Sequence, residues 1–109
     1  MSDAARVRFR DVKPYWVPEA LEDLCGPYSG TIDLPHHVRW LDDRFDVDVA
    51  VLGRRVMAYQ ALLAEATVEE QERFLNARRL IETWPELRMD RRVRDLWESR
   101  FPVLRERGA

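Results

Sequence analysis

The chain has 109 residues, of which 46% are apolar and 35% are charged, and its formal net charge is −2. These values predict one soluble domain with little room for the deep cleft of a large multi-part catalyst. No run of about 18 uncharged apolar residues is present, so the sequence predicts no membrane-spanning segment.

Residues 1–45 form a proline-rich arm that predicts turns and extended structure. Four of the six prolines lie within residues 1–40, and each removes a backbone donor and disfavours helix at the preceding residue. Pro18 at a first helical position and Gly26 beyond the end predict one or two helical turns over residues 18–24. Alternating polar and apolar residues over 31–34 predict a short edge strand.

Apolar residues at helical spacing predict a long helix from about residue 48. They recur every three or four positions and form one stripe of about five helical turns. The stripe consists of Val49, Leu52, Val56, Tyr59, Leu63 and Ala66. Alternate residues over 45–51 are also apolar, so a strand before Gly53 is the alternative. We favour the helix, with Asp46 or Asp48 as its N-cap.

A second helical stretch begins at a capping signal. Thr67 followed by Glu70 is a capping-box pattern, which predicts a helix from Val68. Asn76 is a point at which this stretch can divide into two shorter helices. Pro85 is expected to end it, because the residue before a proline is pushed out of helical geometry.

A last helix is predicted from Asp90, which is a suitable N-cap, to about Phe101. Pro102 is expected to stop it. Together these elements predict a mainly α fold, a small domain of three or four helices preceded by a proline-rich N-terminal arm with a short extended segment. The whole chain, residues 1–109, is interpreted as a single domain with the arm over 1–45 and a helical body over 46–105.

Few residues have the pattern of a catalytic or metal site. His36 and His37 are adjacent, and adjacent side chains of an extended chain point to opposite sides, so both rings cannot easily bind one ion. The acidic run over 42–48 lacks the glycine and the terminal glutamate of a calcium loop. Neither a phosphate-binding loop nor a nucleophile elbow is present. We therefore predict no enzyme activity, no cofactor and no metal, with a small metal-dependent hydrolase as an alternative.

The aromatic residues of the arm are candidates for partner contact. Trp16 and Trp40 lie where a large ring must either pack onto the helices or meet a partner, and tryptophan is frequent among the residues that dominate interfaces. We expect His36 and His37, just before Trp40, to belong to the same contact segment.

The separation of basic and acidic segments along the chain also favours a role in binding a partner. Residues 88–107 contain seven arginines against four acidic residues, whereas 65–72 is strongly acidic. Such segregation suits docking on a charged partner. Arg91, Arg92 and Arg94 are the candidate contacts, and nucleic acid is a less favoured partner because acidic residues lie among these arginines.

Three stretches together resemble a group of bacterial sequences. They are residues 26–40, 84–87 and 91–102, which read GPYSGTIDLPHHVRW, WPEL and RRVRDLWESRFP. In this order they resemble short, uncharacterised bacterial proteins, some of them encoded beside nucleotidyltransferase-fold toxins of the abortive-infection type. The resemblance covers roughly residues 24–104 and implies an antitoxin or accessory regulator that acts by protein contact.

The sequence thus predicts a non-catalytic protein-binding module, with a toxin as the partner that the resemblance implies and a DNA-binding transcriptional regulator as the alternative. The lack of a secretory signal in residues 1–10 and the single Cys25, which cannot form an internal disulfide, predict a cytoplasmic location. The stripe that begins at Val49 is also compatible with a homodimer, because a seam of this spacing serves equally within or between chains.

Overall fold

The computed structural model describes residues 15–35, 37–38 and 46–108. Within these ranges the fold is mainly α, as predicted, with five α-helices rather than three or four. The helices are α1 (Leu52–Glu65), α2 (Val68–Phe74), α3 (Ala77–Thr83), α4 (Arg91–Arg100) and α5 (Pro102–Gly108). Two 3-10 helices, Leu21–Asp23 and Trp84–Glu86, and two strands, β1 (Thr31–Asp33) and β2 (Asp46–Asp48), complete the described elements.

The predicted helix start at Asp46 or Asp48 is wrong. Residues Asp46–Asp48 instead form β2, which pairs antiparallel with β1 so that Val47 lies opposite Ile32. The Asp48 carboxylate accepts a hydrogen bond from the Ala50 amide at 3.0 Å and so shapes the turn that follows the strand. Helix α1 begins only at Leu52. The period-two alternation prevailed here because β1 supplies a partner strand.

The capping predictions for the later helices are confirmed. Thr67 and Glu70 form a reciprocal capping box at the start of α2. Asn76 divides the stretch as predicted, because its side chain accepts a hydrogen bond from the Arg79 amide and caps α3. The Asp90 side chain caps α4 in the same way. Short polar side chains therefore define these helix starts through bonds that span only two or three residues.

The predictions made from the prolines hold only in part. Trp84 keeps helical dihedral angles before Pro85, and the chain continues as a 3-10 helix rather than ending. The last predicted helix does end before Pro102, at Arg100. Pro102 also starts α5, since a first helical position needs no backbone donor. The turns predicted over 18–24 are reduced to the 3-10 helix Leu21–Asp23.

The core is formed by one cluster of buried side chains from nearly all the described elements. Its largest fully buried members are Trp84, Trp97, Tyr59, Leu62, Leu63, Leu75, Leu80 and Leu104. Leu24, Ile32, Leu34 and Val38 belong to the same cluster. The described part of the arm is therefore packed onto the helices and shares their core.

The stripe predicted from Val49 lies mostly inside this core. Val49, Tyr59, Leu63 and Ala66 are buried, whereas Leu52, at the first position of α1, is 48% exposed. A seam that already packs within the chain is not available to a second copy, so this stripe does not form a dimer interface.

Candidate binding surface

Residues 15 and 16 lie across α2 and the start of α4. The buried Gln71 side chain of α2 donates from Nε2 to the Trp16 carbonyl at 3.1 Å. The Tyr15 hydroxyl donates a long hydrogen bond of 3.5 Å to the Asp90 carboxylate. The Arg92 guanidinium carbon lies 4.8 Å from the centroid of the Tyr15 ring, within the range of a cation–π contact. The structure thus brings Trp16 and Arg92, both predicted contact residues, to the same part of the molecule.

The chain after Trp16 is fixed as well. Pro18 is buried, and its carbonyl accepts a hydrogen bond of 3.4 Å from Arg100 at the end of α4. The Trp16 side chain itself is 52% exposed. A large apolar ring therefore stands half in solvent on a backbone that is bonded to the helical body on both sides.

The three predicted arginines of α4 have different surroundings. The Arg91 side chain is 91% exposed, and its Nε lies 4.0 Å from the Asp95 carboxylate. Arg94 is more enclosed, because its guanidinium donates to the Leu87 carbonyl at 2.8 Å and lies 5.3 Å from the Trp84 ring centroid. Arg91 extends into solvent, whereas Arg94 joins α4 to the chain before it.

His37 lies against the N-terminal turn of α2. Its Nε2 is 2.8 Å from one carboxylate oxygen of Glu70 and 3.0 Å from the other. Burial would raise the pKa of Glu70, but hydrogen bonds from His37 and Thr67 outweigh it and leave that pKa below its ordinary value. His37 is therefore oriented by the same carboxylate that closes the capping box. The other predicted residues of this segment, His36 and Trp40, lie outside the described residues.

A second contact between the arm and the helices, that of Tyr28 with α3, was not predicted from the sequence. The Arg79 guanidinium donates to the Tyr28 carbonyl at 2.7 Å and lies 3.8 Å from the centroid of that ring. The Tyr28 hydroxyl donates to Glu82 at 2.8 Å, and this bond is the main reason why the pKa of Glu82 lies below its ordinary value. Tyr28 and Glu82 are separated by 54 positions, and no local motif marks either residue as a partner of the other.

The described residues offer little to bind a metal. In residues 15–35, 37–38 and 46–108, no group of three or more histidine, cysteine, aspartate or glutamate side chains is placed to hold an ion. Over the same ranges, none of the helices has the length and apolar content needed to cross a membrane. The geometry does provide an exposed indole at Trp16, and the neighbouring Tyr15 ring contacts the Arg92 guanidinium. These groups suit contact by ring burial and charge pairing.

Comparisons of the chain with protein-family models, with curated proteins and with solved structures find no match. The resemblance to toxin-associated bacterial proteins therefore stays a prediction.

Proposed function

We propose that the protein is a non-catalytic protein-binding module. Its contact surface, here called the Trp16 surface, consists of Tyr15, Trp16, Arg91 and Arg92. The observation that supports this most is the 52% exposure of the Trp16 side chain, combined with the hydrogen bond that holds its carbonyl to Gln71. A ring on a backbone that is already held in place requires less ordering of the chain when a partner covers it, so its burial contributes more to affinity.

The charge around the ring indicates what kind of partner it would meet. Arg91 is almost fully exposed, and Arg92 is exposed and lies against the Tyr15 ring. A partner that places an apolar pocket over Trp16 and carboxylates beside these arginines would be complementary in shape and charge. The resemblance supports a toxin encoded beside this chain as that partner, which would make the protein an antitoxin or accessory regulator.

Replacing Trp16 with alanine should weaken binding to the product of the adjacent gene at least about tenfold, equivalent to about 1.4 kcal/mol. The free energy of unfolding should change little, because the ring is half exposed. Isothermal titration calorimetry with the purified partner measures the affinity. Met57→Ala is the matched control, because Met57 on α1 is equally exposed at 53% and should leave the affinity unchanged. Equal affinities of wild type and Trp16→Ala would rule out this surface.

A DNA-binding regulator remains the second candidate, because the exposed Arg91 side chain suits a phosphate as well as a carboxylate. The two functions differ in their dependence on salt and on the ring. A duplex held by phosphate contacts loses affinity steeply as salt rises, whereas an interface centred on Trp16 loses much less. Binding to duplex DNA that is abolished by Arg91→Glu with Arg92→Glu but unchanged by Trp16→Ala would replace the protein-binding proposal.

A further inference from the structure

Helix α1 begins without a capping side chain. Its N-cap residue is Val51, which has no side-chain oxygen, and its first turn contains no acidic residue. The first bond of the helix is donated by the Arg55 amide to the Val51 carbonyl at 2.9 Å. Within the described residues, the amides of residues 52–54 have no hydrogen-bond acceptor. Three donors at the positive end of a 14-residue helix are therefore open to a ligand.

The surface around these amides is open. Val51 and Leu52 are 46% and 48% exposed, and Gly53 and Arg54 are exposed as well. No described atom lies within 4 Å of a Cβ built on Gly53, so a ligand can approach the backbone closely at this position. Arg54 forms no ion pair with a carboxylate of the described residues. Its guanidinium is therefore available to a ligand at the helix start.

The next residue, Arg55, is a buried cation without a close counter-charge. It is only 6% exposed, and it donates from Nε to the Thr83 hydroxyl and from Nη1 to the Val49 carbonyl, both of which are neutral groups. No carboxylate of the described residues lies within 4 Å of it. Arginine is almost never buried unless it is paired, because burying an uncompensated charge is costly. The guanidinium thus lacks an anionic partner.

The guanidinium of Arg55 lies at the N-terminal end of α1. Its Nη1 is 2.7 Å from the Val49 carbonyl, two positions before the N-cap Val51, as expected for a helical side chain that leans towards the N-terminus. The remaining nitrogen, Nη2, bonds to no described residue and is not fully buried, so a ligand can reach it. The nearby Asp48 carboxylate accepts from the Ala50 amide and stays within its own turn.

We propose that the start of α1 is an oxyanion site that takes a phosphate group. The amides of residues 52–54 donate to its oxygens, the buried Arg55 donates from Nη2, and the exposed Arg54 covers it from the solvent side. Helix N-termini and guanidinium groups are the donors by which proteins commonly bind phosphate. The bound group supplies the counter-charge that Arg55 lacks. The site shares no residue with the Trp16 surface, so it does not depend on the proposed function.

An NMR titration of the full chain with inorganic phosphate tests the site. The amide signals of Gly53 and Arg54 and the Nε–H signal of Arg55 should shift together and saturate, with a dissociation constant of about 1 mM. Sodium chloride at the same ionic strength should not reproduce these shifts, because chloride cannot accept from several donors in this arrangement. Absence of a saturable shift, or equal shifts with chloride, would overturn the proposal.

Two variants locate the binding at the helix start. Val51→Asp places a carboxylate at the N-cap, where it accepts from the same amides. Phosphate should then bind several-fold more weakly, while the urea midpoint rises. Met57→Glu is the matched control, because it adds the same charge at an exposed position further along α1 and should bind phosphate like wild type. Unchanged phosphate affinity in folded Val51→Asp, or an equal loss in Met57→Glu, would contradict the assignment.

Discussion

Replacing Gly26 with alanine should lower the free energy of unfolding by about 3 kcal/mol, at the upper end of the usual cost of overpacking. The Gly26 amide donates to the Leu75 carbonyl at 2.8 Å, and the Gly26 carbonyl accepts from the Asn76 side chain at 2.9 Å. These bonds hold the arm directly against the connection between α2 and α3. A Cβ atom at this position would overlap the Phe74 carbonyl group. The clash is with backbone, so no side-chain movement can relieve it.

Gly53→Ala is the matched control for this substitution. Nothing lies within 4 Å of a Cβ built on Gly53, and that residue is inside α1. Alanine there should stabilise the protein by about 0.5–1 kcal/mol through its higher helix propensity. Urea denaturation of the three proteins gives the comparison. A Gly26→Ala protein as stable as wild type would mean that the arm does not pack against α2 and α3 in this way.

Replacing Arg55 with leucine should cost about 2–4 kcal/mol, although leucine is apolar and the position is buried, because two polar groups would lose a partner. Arg55 is only 6% exposed. Its Nε donates to the Thr83 hydroxyl at 2.6 Å and one terminal nitrogen donates to the Val49 carbonyl at 2.7 Å. It thereby joins α1 to the end of α3 and to the turn after β2. Without the guanidinium, both oxygens would stay buried and unpaired.

Arg54→Leu is the control, because it makes the same chemical change one position earlier on an exposed side chain. It should alter stability by no more than about 0.5 kcal/mol. Thr83→Val is expected to be destabilising by itself and to cost less in the Arg55→Leu background, where its hydroxyl no longer has a donor. Strictly additive effects of the two substitutions would show that the Arg55–Thr83 hydrogen bond contributes nothing to stability.

Local signals predicted much of the helical body. Thr67, Asn76 and Asp90 each cap a helix through a hydrogen bond to an amide two or three residues later, and such bonds depend only on the adjacent sequence. The start of α1 was not predictable in this way, because the sequence over 45–51 fits both a period of two and the first turn of a helix. The pairing of Val47 with Ile32 decides between them, and that contact joins distant parts of the chain.

The candidate surface depends more than the helical body does on contacts between residues that are far apart in the sequence. The aromatic residues of the arm and the arginines of the last predicted helix indicated Trp16, Arg91 and Arg92 as separate candidates. The bond between Gln71 and the Trp16 carbonyl spans 55 positions, and no sequence pattern points to it. The contact of Arg94 with the Trp84 ring could not be predicted from the sequence either. An arginine side chain on a helix can extend into solvent or pack against the protein, and its neighbours in sequence do not show which it does.

The central claim is that the Trp16 ring is presented on a backbone fixed to the helical body. Nitrogen-15 relaxation of the Trp16 and Val17 amides in the free protein tests it directly. We expect order parameters of about 0.85, equal to those of a rigid helix such as α1. Values below about 0.6 would contradict the claim, because the ring would then move with a flexible segment and would have to be ordered anew by every partner.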